Sequence, residues 1–163
     1  MYKRQLYILP ESQRSRQIPS PVIAQALYFP SYISLESALS HYEIIPEKVV
    51  EWTSVAAKKT AQFNNSLGRF SYAHIKPERF FGFEKIKEDG WFYLMAWPEK
   101  ALLDWIYLDN RKVKNPKDYI EILRLQNFDH LSSKRLLECA RRFHSRKVSR
   151  AAAALVGEIK KWT

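Results

Sequence analysis

Few residue combinations in this 163-residue chain could make or break a bond, and each fails on spacing or on context. A metal-dependent nuclease of the restriction type needs Asp or Glu, one residue, then Lys on a strand beside a second carboxylate, so that a divalent ion and a water are held together. Only Glu158-Ile159-Lys160 has that spacing, and it ends a predicted terminal helix, where it reads as a solvated face. A nucleotidyltransferase needs a Gly-Ser turn and an Asp-x-Asp pair for metal and triphosphate. The chain has neither, and no two of Gly68, Gly82, Gly90 and Gly157 are close enough to cradle a phosphate. His41, His74, His130 and His144 lack the spacing of helix-borne metal ligands, and no Gly-x-Ser-x-Gly elbow offers a nucleophile. His74 reads as a structural hydrogen-bonding residue. Cys139, beside Leu136 and Phe143, reads as core, and as the single cysteine it excludes an internal disulfide. The expectation is a protein that is not an enzyme, with no cofactor and no metal.

Charged residues offer binding rather than catalysis. Residues 1–109 hold 13 Lys and Arg against 12 Asp and Glu, whereas residues 110–163 hold 14 against 5. The positive potential therefore sits in the last third, where it could steer an acidic partner or nucleic acid. Arg135, Arg142, Arg146 and Arg150 recur at intervals that align on one side of a continuous helix, although an interruption near Ser145 would break the alignment. With Lys58 and Lys59 they form the expected partner-binding or nucleic-acid-binding set, because Arg suits paired contacts with phosphate or carboxylate. Lys100 and Asp104 lie one helical turn apart, with Glu99 at the start of the same helix. An intrahelical ion pair plus an N-terminal charge is the expected use of these three, ahead of a partner-binding role, with docking of the helix onto a sheet as a further alternative.

The elements that must position these residues follow from punctuation and periodicity. Residues 6–10, LeuTyrIleLeuPro, resemble a strand, and residues 11–21 an exposed polar connector. Pro21 suits the first turn of a helix over ValIleAlaGlnAlaLeu that Pro30 stops. Ser34 is placed to cap a helix with Leu35, Ala38, Leu39 and Tyr42 on one face, and Ser37 and Ser40 leave room for a close backbone. Strands follow at 49–55, from Ala61 to the AsnAsnSerLeuGly turn, at 69–75, and on both sides of the Asp89-Gly90 hairpin signal. Pro98 opens a helix with Ala101, Leu102, Trp105, Ile106 and Leu108 as its apolar stripe, and beyond Pro116 three helices are expected near 116–126, 132–144 and 146–162, with Ser132 and Ser145 as caps. The predicted fold class is α+β: a mainly antiparallel sheet of four to five strands packed with helices, then a C-terminal helical subdomain. Its expected organisation is a remnant strand and linker at 1–20 and a domain at 21–163, divided into an α+β core at 21–110 and a basic helical part at 111–163.

Five blocks in order, PSYISLESALS from Pro30, IIPEKV, TSVAAKKT, GRFSYAHIKPERFFGF and AWPEKALLDWIYL to Leu108, resemble the C-terminal domain of AbiEi-type antitoxins of abortive-infection, type IV toxin-antitoxin operons. The resemblance spans roughly residues 6 to 110. It implies an antitoxin that counters a nucleotidyltransferase-like toxin, without requiring a stable complex with it, and that contributes to transcriptional autoregulation. Operator DNA in full-length relatives is bound by an N-terminal winged helix-turn-helix, whose last wing strand residues 6–10 would represent. The segment MYKRQ reads as a translated sequencing adapter, which predicts a gene fragment. Departures from the pattern are Ala56 and Ala57 where relatives carry Thr, and Glu43 where they carry Gly, the latter implying a turn that no longer needs positive φ. The rival reading is a nucleic-acid-binding module, for DNA or RNA, or a stand-alone regulator acting through the basic C-terminal helices. No apolar run approaches a membrane span, so the expectation is a cytoplasmic protein with no membrane partner.

Overall fold

The computed structural model describes residues 7–162. The adapter-like residues 1–5 and Leu6 lie outside them. Tyr7 to Pro10 form no strand, so the expected wing strand is not found in its described part, and the connector that follows, with one 3-10 turn at Glu11–Gln13, is mostly exposed until Ile18, where the chain becomes half-buried on its way into the first helix. From there the order is α1 (Ser20–Leu27), β1 (Ser31–Ile33), α2 (Leu35–His41), β2 (Glu51–Ala56), β3 (Ala61–Asn65), β4 (Gly68–His74), β5 (Phe83–Glu88), β6 (Trp91–Ala96), α3 (Pro98–Leu108), α4 (Asp118–Ile122), α5 (Ser133–Arg142) and α6 (Arg146–Trp162).

The α+β class holds, but the sheet is six-stranded and mixed, in the order β3-β4-β2-β1-β6-β5. Parallel pairs join β2 to β4 and β1 to β6, and the other neighbours are antiparallel. The sixth strand is β1, and the mixed character comes from its parallel pairing with β6 together with that of β2 with β4. Three residues between a proline and a helix are too few to show an alternating pattern, yet this strand is fully buried at the centre of the sheet. Its pairing with β6 is a single register point, Ile33 with Met95, and the Gln25 amide completes the joint by donating to Ser31 O at 2.7 Å and accepting from Leu94 N at 2.9 Å. The β5–β6 hairpin forms as expected: Asp89 at φ +49° and Gly90 at φ +82° supply the two left-handed positions of a tight turn.

Register places Ile33, Ser54 and Tyr72 on one face, where α1 lies, with the Tyr72 hydroxyl donating to Ala24 O. Tyr32 and Val55 point to the opposite face, against α3. Outside α3 pack α5 and α6. α3 is thus an internal layer, and its Pro98 to Asp104 are all buried. Of the predicted stripe Ala101, Leu102 and Ile106 are buried while Trp105 and Leu108 are half-buried, and Leu103 and the charged positions are buried as well.

Ser37 bears out its expected role in close approach: its backbone N–H donates to Thr53 Oγ1 at 2.9 Å, and its hydroxyl accepts from Thr53 N at 2.7 Å and donates to Glu51 O at 3.1 Å. Glu43 overturns its expectation. It stands at φ +58°, just past α2, with its N–H donating to Ser40 O and Ile44 N–H donating to Leu39 O, the paired bonds of a Schellman helix end. The turn keeps its left-handed residue, and a side chain that prefers other backbone angles occupies it. Replacing Glu43 by Gly should therefore stabilise the fold by about 0.5–1 kcal/mol, a net of relieved left-handed strain over glycine's added chain entropy. Thermal unfolding should read this as a rise of roughly 2–3 °C, and an unchanged or lower melting temperature would count against it.

Candidate functional site

The most polar assembly in the core is built on α3. Lys100 and Asp104 are both inaccessible to solvent and form an ion pair one helical turn apart. The Lys100 ammonium also donates to the Tyr32 hydroxyl at 2.8 Å, which in turn donates to Asp104 Oδ2 at 2.9 Å. Ser34 Oγ gives that same oxygen a further hydrogen bond at 2.9 Å. Around the ammonium stand the rings of Phe143, Phe81 and Tyr32, with centroids at 4.7, 4.9 and 5.2 Å, close enough for cation–π attraction at a fully buried charge. Desolvation raises the pKa of the Asp104 carboxyl and lowers that of the Lys100 ammonium, while their mutual attraction and hydrogen bonds oppose both shifts. Gly82, at φ +77°, is what admits the Lys100 stem: a Cβ there would lie 2.9 Å from Lys100 Cγ.

Glu99 is 1 % exposed and reaches away from its own helix. Its Oε1 accepts from Ser132 N at 2.7 Å, at the start of α5, and Arg135 Nη1 lies 3.7 Å from Oε2. Ion pairing and docking, which the spacing left as alternatives, therefore occur together: Lys100 and Asp104 fasten α3 to β1, and Glu99 fastens it to α5. Ser34 stands at the N-cap of α2 as expected, but its hydroxyl serves Asp104 and makes no cap bond. The sequence offered no sign of this, because the two residues are 70 positions apart. Ser132 does cap α5, accepting from Arg135 N at 3.3 Å, and Ser145 Oγ accepts from Val148 N at 3.5 Å at the start of α6.

The six basic residues expected to form one binding surface fall into three groups. Lys58 and Lys59 lie just beyond β2. The Lys58 ammonium donates to Phe29 O and sits 5.4 Å from the Tyr28 ring centroid, while Lys59 O accepts from the Tyr28 hydroxyl. Nearby, His74 Nδ1 lies 2.8 Å from Lys58 O, the structural role its position suggested. Arg135 and Arg142 flank the buried cluster, Arg135 over Trp97 at 5.3 Å and Arg142 over Phe81 at 3.8 Å. Arg146 and Arg150 stand apart from them because α5 ends at Arg142 and His144, at φ +47°, turns the chain before α6. The side chains of Arg146 and Arg150 are exposed, with no hydrogen bond or ion pair to the described chain.

Arg146 and Arg150 instead line a cleft of about 240 Å³ with Lys147, Arg111, Lys112, Val113, Pro116 and Tyr119. Sequence reasoning missed Arg111, Lys112 and Lys147 as members, since only folding brings the segment after α3 against the first turns of α6. Asp109 organises the junction: its Oδ1 accepts from Arg111 Nε at 2.8 Å and its backbone oxygen accepts from the Lys147 ammonium. Burial lowers the Lys147 pKa, with Asp109 opposing the shift.

Among the described residues, no group of three or more His, Cys, Asp and Glu side chains is placed to hold a metal ion, and no helix is long and apolar enough to cross a membrane. No family model, curated protein or solved structure matches this chain.

Replacing Lys100 by Met should destabilise the protein by about 3–5 kcal/mol, because a buried carboxylate loses its counter-charge. Adding Asp104→Asn, which keeps an acceptor for Tyr32 and Ser34, should recover more than half of that loss in urea unfolding, and strictly additive losses would mean the two groups are uncoupled. Cys139 is 3 % exposed, and burial pushes its thiol up to about 11. At pH about 8 roughly one molecule in a thousand would carry the thiolate, so a disulfide reagent should label the unfolded chain and spare the native one.

Proposed function

We propose that this chain is the effector-neutralising and regulatory C-terminal domain of an AbiEi-type antitoxin. It acts in the cytoplasm without chemistry of its own, counters a nucleotidyltransferase-like toxin, and contributes to autoregulation of its operon. The observation that carries this reading is the convergence of the five blocks on one core. Tyr32 and Ser34 come from the first block, Ile44 and Ile45 from the second, Thr53 from the third, Phe81 and Gly82 from the fourth, and Lys100 and Asp104 from the fifth. All of these but Thr53 are buried, and Thr53 binds the backbone of Ser34 and Ser37. The first, fourth and fifth blocks close around one ion pair, with Tyr32 and Asp104 72 positions apart, and the second and third pack into the same domain beside them.

The polar residues most typical of the blocks are turned inward and hold layers together. A partner therefore meets the outer surface, whose potential is positive in the C-terminal third. The test is co-expression: the full chain together with the nucleotidyltransferase-like toxin encoded beside a full-length relative, under separate inducers. Growth should be restored when the chain is in excess. A soluble, folded chain that leaves the growth arrest unchanged would remove the antitoxin reading.

A further inference from the structure

The cleft beside α6 has cations on both walls. One wall is the first two turns of α6, with Arg146 and Arg150 four residues apart and hence on the same side of the helix. The opposite wall is the segment after α3, carrying Arg111 and Lys112. Lys147 joins the two by donating to Asp109 O. Five cations line or border the space, and the carboxylate beside them, Asp109, is already engaged by Arg111. The next acid along α6, Glu158, is paired with Lys117 and Lys161. Arg111 is held on a second side by stacking 5.0 Å from the Trp105 ring centroid, and Asp109 takes its Nε, so its terminal nitrogens are left for a ligand.

A site with this excess of positive charge needs a polyanion. Arg146 and Arg150 are separated by about 6 Å along the helix axis, comparable to the separation of consecutive phosphates on a nucleic-acid strand. An acidic protein partner would be expected to seat an apolar or aromatic anchor as well. The cleft has no exposed apolar socket for one: Tyr119 is buried, Val113 and Pro116 are half-buried, and none of the exposed large apolar residues line it.

We propose that this cleft binds the sugar–phosphate backbone of a nucleic acid, with Arg146 and Arg150 contacting consecutive phosphates and Arg111 and Lys112 closing on the strand from the other wall. Recognition is by backbone charge and carries no base specificity. The inference goes beyond toxin antagonism and stands or falls without it.

The experiment uses the full chain in fluorescence anisotropy with two probes, a labelled random-sequence DNA duplex and a labelled structured RNA, from about 50 mM to 200 mM salt. The double variant Arg146→Gln/Arg150→Gln should weaken binding at least tenfold at the lowest salt and should reduce the slope of log affinity against log salt by about two, one for each lost phosphate contact. The control Lys134→Gln/Arg141→Gln removes the same charge from exposed positions of α5 and should stay within about threefold of the parent, with its slope unchanged. Circular dichroism checks that both variants are folded. Three outcomes overturn the proposal: an equal loss in the two double variants, which would mean diffuse attraction to the basic surface; no binding of either probe by the folded parent at low salt; or displacement of the probe by polyglutamate as readily as by unlabelled nucleic acid, which would give the cleft to an acidic protein partner.

Discussion

The buried pair of Lys100 and Asp104 is the constraint around which the other layers are arranged. Two charges removed from water are tolerable only when every donor and acceptor is met, and a buried ion pair gives no assurance of net stability. What it does provide is position. Asp104 must face the Tyr32 and Ser34 hydroxyls, and Lys100 must lie between Tyr32 and the rings of Phe81 and Phe143. A rotation or slide of α3 by one residue would leave charged atoms against carbon. An apolar helix in the same layer could pack in several neighbouring registers at similar cost, whereas this one has a single arrangement that satisfies its polar atoms.

From that requirement the surrounding features follow. β1 has to be in the middle of the sheet, because its Tyr32 is the sheet's side of the network. Gly82 has to lack a side chain, because the Lys100 stem crosses its α carbon. The end of α5 has to come to the core, because Phe143 closes the ammonium's third side, and Arg79 ties that end down by donating to Phe143 O at 2.8 Å. Glu99 adds a second fastening of α3 to α5 through Ser132. The C-terminal helices are held through α3 by these specific polar contacts as well as by apolar packing.

Local signals in the sequence carried the local structure. The Asp-Gly hairpin, the Pro21 and Pro98 helix starts and the Ser132 cap depend on neighbours within four residues, and each stands where its residues place it. What the sequence hid is non-local. β1 has no period to read, and its pairings, antiparallel to β2 and parallel to β6, depend on which strands flank it rather than on its own composition. Ser34 carries the same chemistry for a cap bond as for a bond to Asp104, and only the approach of α3 decides between them. Glu43 hid a different thing: the backbone there is set by the end of α2 and by packing of Ile44, so the turn kept its geometry although the side chain does not favour it. The basic surface was legible as composition but not as a site. Arg135, Arg142, Arg146 and Arg150 look alike in the chain, and folding lays two of them over the rings of Trp97 and Phe81 and leaves two facing the cleft.

The cleft and the core network are two ends of one helix. α3 starts with Glu99, Lys100 and Asp104 locked between layers and ends at Asp109, whose carboxylate and carbonyl orient Arg111 and Lys147. Between them Trp105 donates its indole N–H to Glu36 at 2.8 Å on one side and supports the Arg111 guanidinium on the other. The direction of two cleft cations is therefore set by a helix whose own rotation is fixed by an ion pair it cannot expose. For the strand proposed to lie in the cleft, such rigidity matters at Arg111: a guanidinium already held by Asp109 and Trp105 need not be ordered again, so less of its attraction is offset by lost side-chain freedom than at Arg146 and Arg150, which nothing in the described chain holds.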